Sequence, residues 1–133
     1  MNTTYRCALA AALTAVLTVA VVAPAAAQTR SFPQNTLRGT IAFAEDGTIA
    51  LNGRATTLSP GSRVRDEQNM IVLPAALVGT RRLVHYTLDF GGPQVRDVWV
   101  LRPDEAAIRP WPATLEQANT WTYDATTATW IKP

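Results

Sequence analysis

From Leu37 to Phe43 the chain alternates, with Leu37, Gly39, Ile41 and Phe43 on one side and Arg38, Thr40 and Ala42 on the other. That two-residue period predicts a half-buried strand. Glu45-Asp46-Gly47 ends it, and Asp-Gly favours a hairpin because glycine takes positive φ without steric cost. Thr48 to Leu51 returns with Ile49 and Leu51 on one face, and Asn52-Gly53 then gives the strongest short hairpin signal in the chain. Residues 54–58 form a third strand. Ser59-Pro60-Gly61 is expected to close this meander and to leave 62–65 as a separate short strand. Residues 70–73 are an apolar run of four, too short for a helix and expected to be buried. Pro74 opens a helical turn that Gly79 stops.

The longest β signal runs through 81–88, a turn over 89–93, and 94–102. Val84, Tyr86 and Leu88 share one face. On the returning strand Val95, Trp99 and Leu101 share a face while Val98 and Val100 fill the other, so both faces are expected to be covered. A single helical turn is predicted over 103–108, and Pro110 and Pro112 around Trp111 prevent its continuation. Thr114 and Gln117 have capping-box spacing. Residues 120–133 read as a hairpin in which Trp121, Tyr123 and Trp130 meet, with Trp121 expected in the core. After residue 27 no long 3.6-residue apolar period occurs. The expected fold class is mainly all-β: a small antiparallel OB-like barrel or sandwich of five to seven short strands, with one or two short helical turns and a C-terminal β-hairpin.

The first 27 residues break with this pattern. Arg6 precedes an uncharged apolar run of 16 residues, from Ala8 to Ala23, and Ala25-Ala26-Ala27 offers small side chains. This is the layout of a secretory signal peptide, with cleavage expected after Ala27. The run is shorter than the roughly 20 residues that cross a bilayer as a helix. The expected organisation is a signal peptide over 1–27, a flexible leader over 28–36 and one β domain over 37–133. The expected location is periplasmic or secreted.

Cleavage would leave 106 residues, enough for one modest core that buries about 65% of the unfolded surface. The single cysteine, Cys7, lies in the signal, so packing rather than a disulfide must hold the domain. Formal charge falls from +2 to +1 with the loss of Arg6. No basic stripe exists, which argues against nucleic acid as a partner.

The segments Gly39-Thr-Ile, 48–53, 84–89 and 95–100, in that order, resemble small exported OB-like β-barrel proteins of unknown function from proteobacteria, over residues 37–102. The resemblance implies a fold and a compartment without an assigned activity.

The search for chemistry yields a short list. His85 is the only histidine; a catalytic reading pairs it with Asp89 or Asp97, and the bland reading makes it a sheet residue. Ser31, Ser59 and Ser62 are the only serines, and none sits in a Gly-x-Ser-x-Gly elbow. One histidine and no cysteine after residue 27 leave no zinc or copper set, and the acidic pairs 45–46, 66–67 and 104–105 lack calcium-loop spacing. No cofactor and no metal is expected. Arg63 and Arg65 flank Val64 and would point the same way on a strand, as a small anion patch or as a solvated face. Trp111, between two prolines, is the tryptophan least tied to a strand and a candidate partner contact. The binding candidates are therefore Arg63, Arg65, His85 and Trp111, with no catalytic residue assigned. The expected function is a non-catalytic binding or interaction module of the cell envelope, monomeric, with an envelope protein or glycan as partner. The alternative is a small hydrolase using His85 with a nearby carboxylate.

Overall fold

The computed structural model describes residues 29–90 and 92–133. The expected signal peptide and its cleavage site lie outside the described residues. The remainder is mainly β, with eight strands: β1 (Leu37–Phe43), β2 (Thr48–Leu51), β3 (Arg54–Arg65), β4 (Ile71–Val72), β5 (Arg81–Leu88), β6 (Val95–Val100), β7 (Thr122–Asp124) and β8 (Thr129–Ile131). Two short helices, α1 (Pro103–Ala106) and α2 (Leu115–Thr120), lie between β6 and β7. None of the described helices is long and apolar enough to cross a membrane.

The first hairpins form where the glycines predict them. Gly47 has φ +84°, and both Asn52 (+52°) and Gly53 (+82°) are left-handed, as a type I′ turn requires. The β1-β2-β3 meander closes into a five-stranded barrel: β3 pairs with β6, β6 with β5, and β5 returns to β1. The β3–β6 pairing is parallel, so the sheet is not wholly antiparallel as expected. Leu37, Ile41, Phe43, Ile49, Val64, Val84, Tyr86, Val95, Val98 and Val100 fill the interior. This core is mostly aliphatic, and burial raises the pKa of the Tyr86 hydroxyl. That hydroxyl finds a partner in the Ala113 carbonyl, 3.3 Å away.

Three sequence expectations are corrected. Ser59-Pro60-Gly61 does not end the third strand; β3 runs through it for 12 residues. The register shifts between Leu58 and Arg63, and Gly61 takes φ +77°. A bulge absorbs a proline that an unbroken ladder would reject. The face assignment on β6 also changes. Thr87 pairs with Asp97 but Leu88 pairs with Val95, which leaves Arg96 as the extra residue. The bulge inverts the alternation, so Val95 joins Val98 and Val100 inside while Trp99 points out. Finally, the apolar run at 70–73 is not buried: Met70, Ile71 and Leu73 are exposed and only Val72 packs against the core. A two-residue edge strand offers the interior one alternate position.

Both faces of β6 are covered, as expected. The outer cover is a second layer laid over β1, β5 and β6.

Candidate binding groove

The outer layer starts from one cross-strand row. Arg38 on β1 pairs in register with His85 on β5, His85 with Trp99 on β6, and Trp99 with Arg65 on β3. Four strands thus present Arg, His, Trp and Arg side by side on the outside of the barrel. Successive side chains on a strand point to opposite faces, so the inward placement of Leu37, Val84, Val98 and Val64 sends this row outward.

Residues 29–36, expected as a flexible leader, cover the row as a strap. Phe32 stands edge-on to His85 with ring centroids 4.4 Å apart, to Trp99 at 5.8 Å and to Trp111 at 6.2 Å. Arg30 anchors the strap: Nη2 and Nε bind the two oxygens of Glu105, the latter at 2.8 Å, while Nη1 and Nη2 donate to the Asp66 and Val100 carbonyls. Glu105 also accepts the Arg102 backbone N–H at 2.9 Å, which ties it to the start of α1. Both Arg30 and Glu105 side chains are over nine-tenths buried. Arg fits this role because its planar fork matches a carboxylate bidentately.

Trp111 closes the layer. Its ring stacks on His85 at 4.2 Å and 26°, and its indole N–H donates to the Thr36 carbonyl at 3.0 Å. Trp130 on β8 meets Trp111 edge-on at 6.4 Å, and directly opposite it in the hairpin stands Tyr123, 5.2 Å away. Of the three hairpin aromatics expected to pack on the body, the buried one is Trp130 and not Trp121. Trp130 is buried, whereas Trp121 is half-exposed beneath the Lys132 ammonium. Trp121 caps α2 with its backbone N–H and lies just before the paired residues, where Lys132 rather than an aromatic ring covers it.

His85 is 1% exposed, and its chemistry is fixed by Arg38. The Arg38 Nε and Nη2 both lie within 3.1 Å of His85 Nε2. A guanidinium only donates, so Nε2 accepts and the ring proton resides on Nδ1. Burial, then the Arg38 and Arg30 charges, push the His85 pKa down to about 3. The histidine is neutral, and its hydrogen-bond partner is a cation rather than the carboxylate that the hydrolase alternative calls for. Nδ1 is buried with no hydrogen-bond partner among the described residues.

The other sequence candidates separate. Arg65 lies over the Trp99 ring at 5.7 Å and 3.9 Å from Asp97, so its charge is already engaged. Arg63 is exposed and far less embedded; the two do not form one free patch. Among the described residues no group of His, Cys, Asp and Glu is placed to hold a metal ion.

Beside Trp111 lies an open groove of about 820 Å³. Leu83, Pro110, Trp111, Trp130 and Ile131 supply its apolar walls, and Arg38, Arg109 and Lys132 its charges. No carboxylate among the described residues lines it. Arg38 donates to the Glu105, Ala106 and Ile108 carbonyls as well as to His85, so it contributes field but has no spare donor direction. Its pKa is lowered, first by burial and next by the neighbouring Arg109 charge. Arg109 is exposed and makes no hydrogen bond or ion pair among the described residues. Sequence reasoning found Trp111 and missed Arg109 and Lys132. Neither carries a motif, and only the fold brings 109 and 132 to one cleft.

No protein family, no curated protein and no solved structure matches the chain.

Proposed function

We propose that this chain is an exported, non-catalytic binding module of the cell envelope, and that the groove beside Trp111 is where it takes an anionic partner. One observation carries the reading. Among the described residues of a nearly neutral chain, three cations and no acid gather around one apolar cleft. Like charges so placed repel, and an anion between them relieves the repulsion. The packing of the Trp111 wall against His85 and Trp130 supports the same reading, since a preorganised site loses little entropy on binding. A small closed β-barrel also suits this reading, since barrels of that kind can present a binding surface on one side. A sequence that begins with a signal-like segment supports an envelope address. The hydrolase alternative draws no support from His85, which is neutral, buried and held by an arginine.

The test is a titration of the isotope-labelled exported chain with an oligogalacturonate, a glutamate-rich peptide and decyl phosphate, against neutral dextran. At least one anion is expected to shift the Trp111 and Trp130 indole signals saturably. Arg109→Glu with Lys132→Glu is expected to abolish the shift. Indole signals that respond to no anion, or to dextran alone, would overturn the reading.

A further inference from the structure

We propose that the groove binds an amphiphilic anion: a single carboxylate or phosphate head on an apolar chain. The proposal rests on the binding reading above and names the ligand class. The head is set by the free cations. Arg109 has no partner among the described residues, and the Lys132 ammonium rests only on the Trp121 ring, 5.2 Å from its centroid. One anionic group reaching both would gain charge-assisted hydrogen bonds, with the Arg38 charge behind it.

The body is set by what the walls lack. Among the described residues no Ser, Thr, Asn, Gln, Asp or Glu lines the groove. A saccharide bound there would bury hydroxyls without partners, and each such loss is costly. An aliphatic chain would instead cover Leu83 and Ile131, which are 38% and 55% exposed. Both are large apolar side chains left in water on the rim of the same cleft. The volume, about 820 Å³, falls within the roughly 300–1,000 Å³ typical of small-molecule sites. The cavity therefore pairs an apolar trough with two unsatisfied cations at its edge.

The experiment uses the exported chain and a set of probes below their micelle concentrations: acetate, hexanoate, octanoate, decanoate, decyl phosphate and decanol. Binding is read by the Trp111 and Trp130 indole signals. Decanoate or decyl phosphate is expected to saturate the site, and whichever is tighter tells a fatty-acid source from a phospholipid-derived one. Each added methylene is expected to tighten binding by about twofold to fourfold, the upper figure corresponding to full burial. Decanol is expected to bind at least tenfold more weakly than decanoate. Arg109→Gln with Lys132→Gln should lower decanoate affinity at least tenfold while the barrel amide signals stay in place, and Leu83→Ser should flatten the chain-length dependence. Equal affinity from acetate to decanoate would overturn the amphiphile class and leave the anion-binding reading standing. Decanol binding as tightly as decanoate would overturn the role of the head. If no probe of this set binds while oligogalacturonate or the acidic peptide does, the ligand class falls alone; if those fail too, both readings fall.

Discussion

The inside of the barrel and the layer over β1, β5 and β6 are both buried, yet they are built on opposite chemistry. The interior is Leu, Ile and Val with one Tyr and one Phe, and it is assembled by neighbouring strands. The outer layer is Phe32, His85, Trp99, Trp111 and Trp130, tied by two arginines and a buried glutamate. Its contacts span great sequence distances: Arg30 reaches Glu105, 75 residues on, and Trp111 reaches back the same distance to Thr36. Aliphatic burial needs only a face and a volume. A charged and aromatic layer needs its charges matched, because an unpaired buried charge costs far more than a missing methyl group. The outer layer should therefore be the more brittle of the two, and its rim, where Arg109 remains unmatched, is where a ligand has something to gain.

Glu105→Ala should give the largest effect. It leaves the Arg30 guanidinium buried without its partner, and a loss of about 3–5 kcal/mol is expected in urea denaturation. Replacing both Arg30 and Glu105 by apolar residues should cost much less, because no orphan charge remains.

Trp130→Ala and Ile41→Ala compare the layers directly. Each should cost about 3 kcal/mol, Trp130 through the outer layer and Ile41, fully buried, through the interior. Both melts should remain single transitions if the layers form one cooperative unit. Trp121→Ala, in contrast, should cost less than either, since its side chain is only partly buried.

His85 makes the outer layer sensitive to acid. Its pKa is about 3 when folded and near 6.5 when unfolded. Above pH 6.5 both states are neutral and no cost arises. Below it the unfolded chain takes a proton that the folded one refuses, so stability falls between 6.5 and about 3. From pH 7 to pH 5 the expected loss is about 2 kcal/mol, and His85→Phe should remove most of that slope.

A turn of the barrel gives a similarly small effect. Gly53→Val should cost about 1 kcal/mol, because a β-branched residue resists φ +82° although the space around it is open.

The two regions also differ in how far the sequence disclosed them. Period-two alternation placed β1, β2 and the interior face of β5, and Asp46-Gly47 and Asn52-Gly53 placed the turns. Alternation misassigned Val95 and Trp99 because a bulge at Arg96 shifts the parity, and a bulge has no mark in a single sequence. The strap was illegible for a related reason. Arg30 and Phe32 lie in a stretch without periodicity, and what fixes them is a carboxylate and a ring brought near only by barrel closure. His85 and Trp111 could be named as candidates, but not that they stack on each other. Arg109 and Lys132 read as ordinary surface charges until the fold places them beside one cleft.

The strap and the groove both require the outer layer to be packed and sealed, and His85 reports on this alone. As the only histidine it gives one imidazole resonance set in a pH titration by nuclear magnetic resonance. The ring is expected to stay neutral with its proton on Nδ1 until below about pH 4, sheltered by Phe32 and Trp111 and held by Arg38. A titration centred near pH 6.5 with the protein still folded would show that water and protons reach the ring, and would contradict the sealed layer on which the strap and the groove both depend.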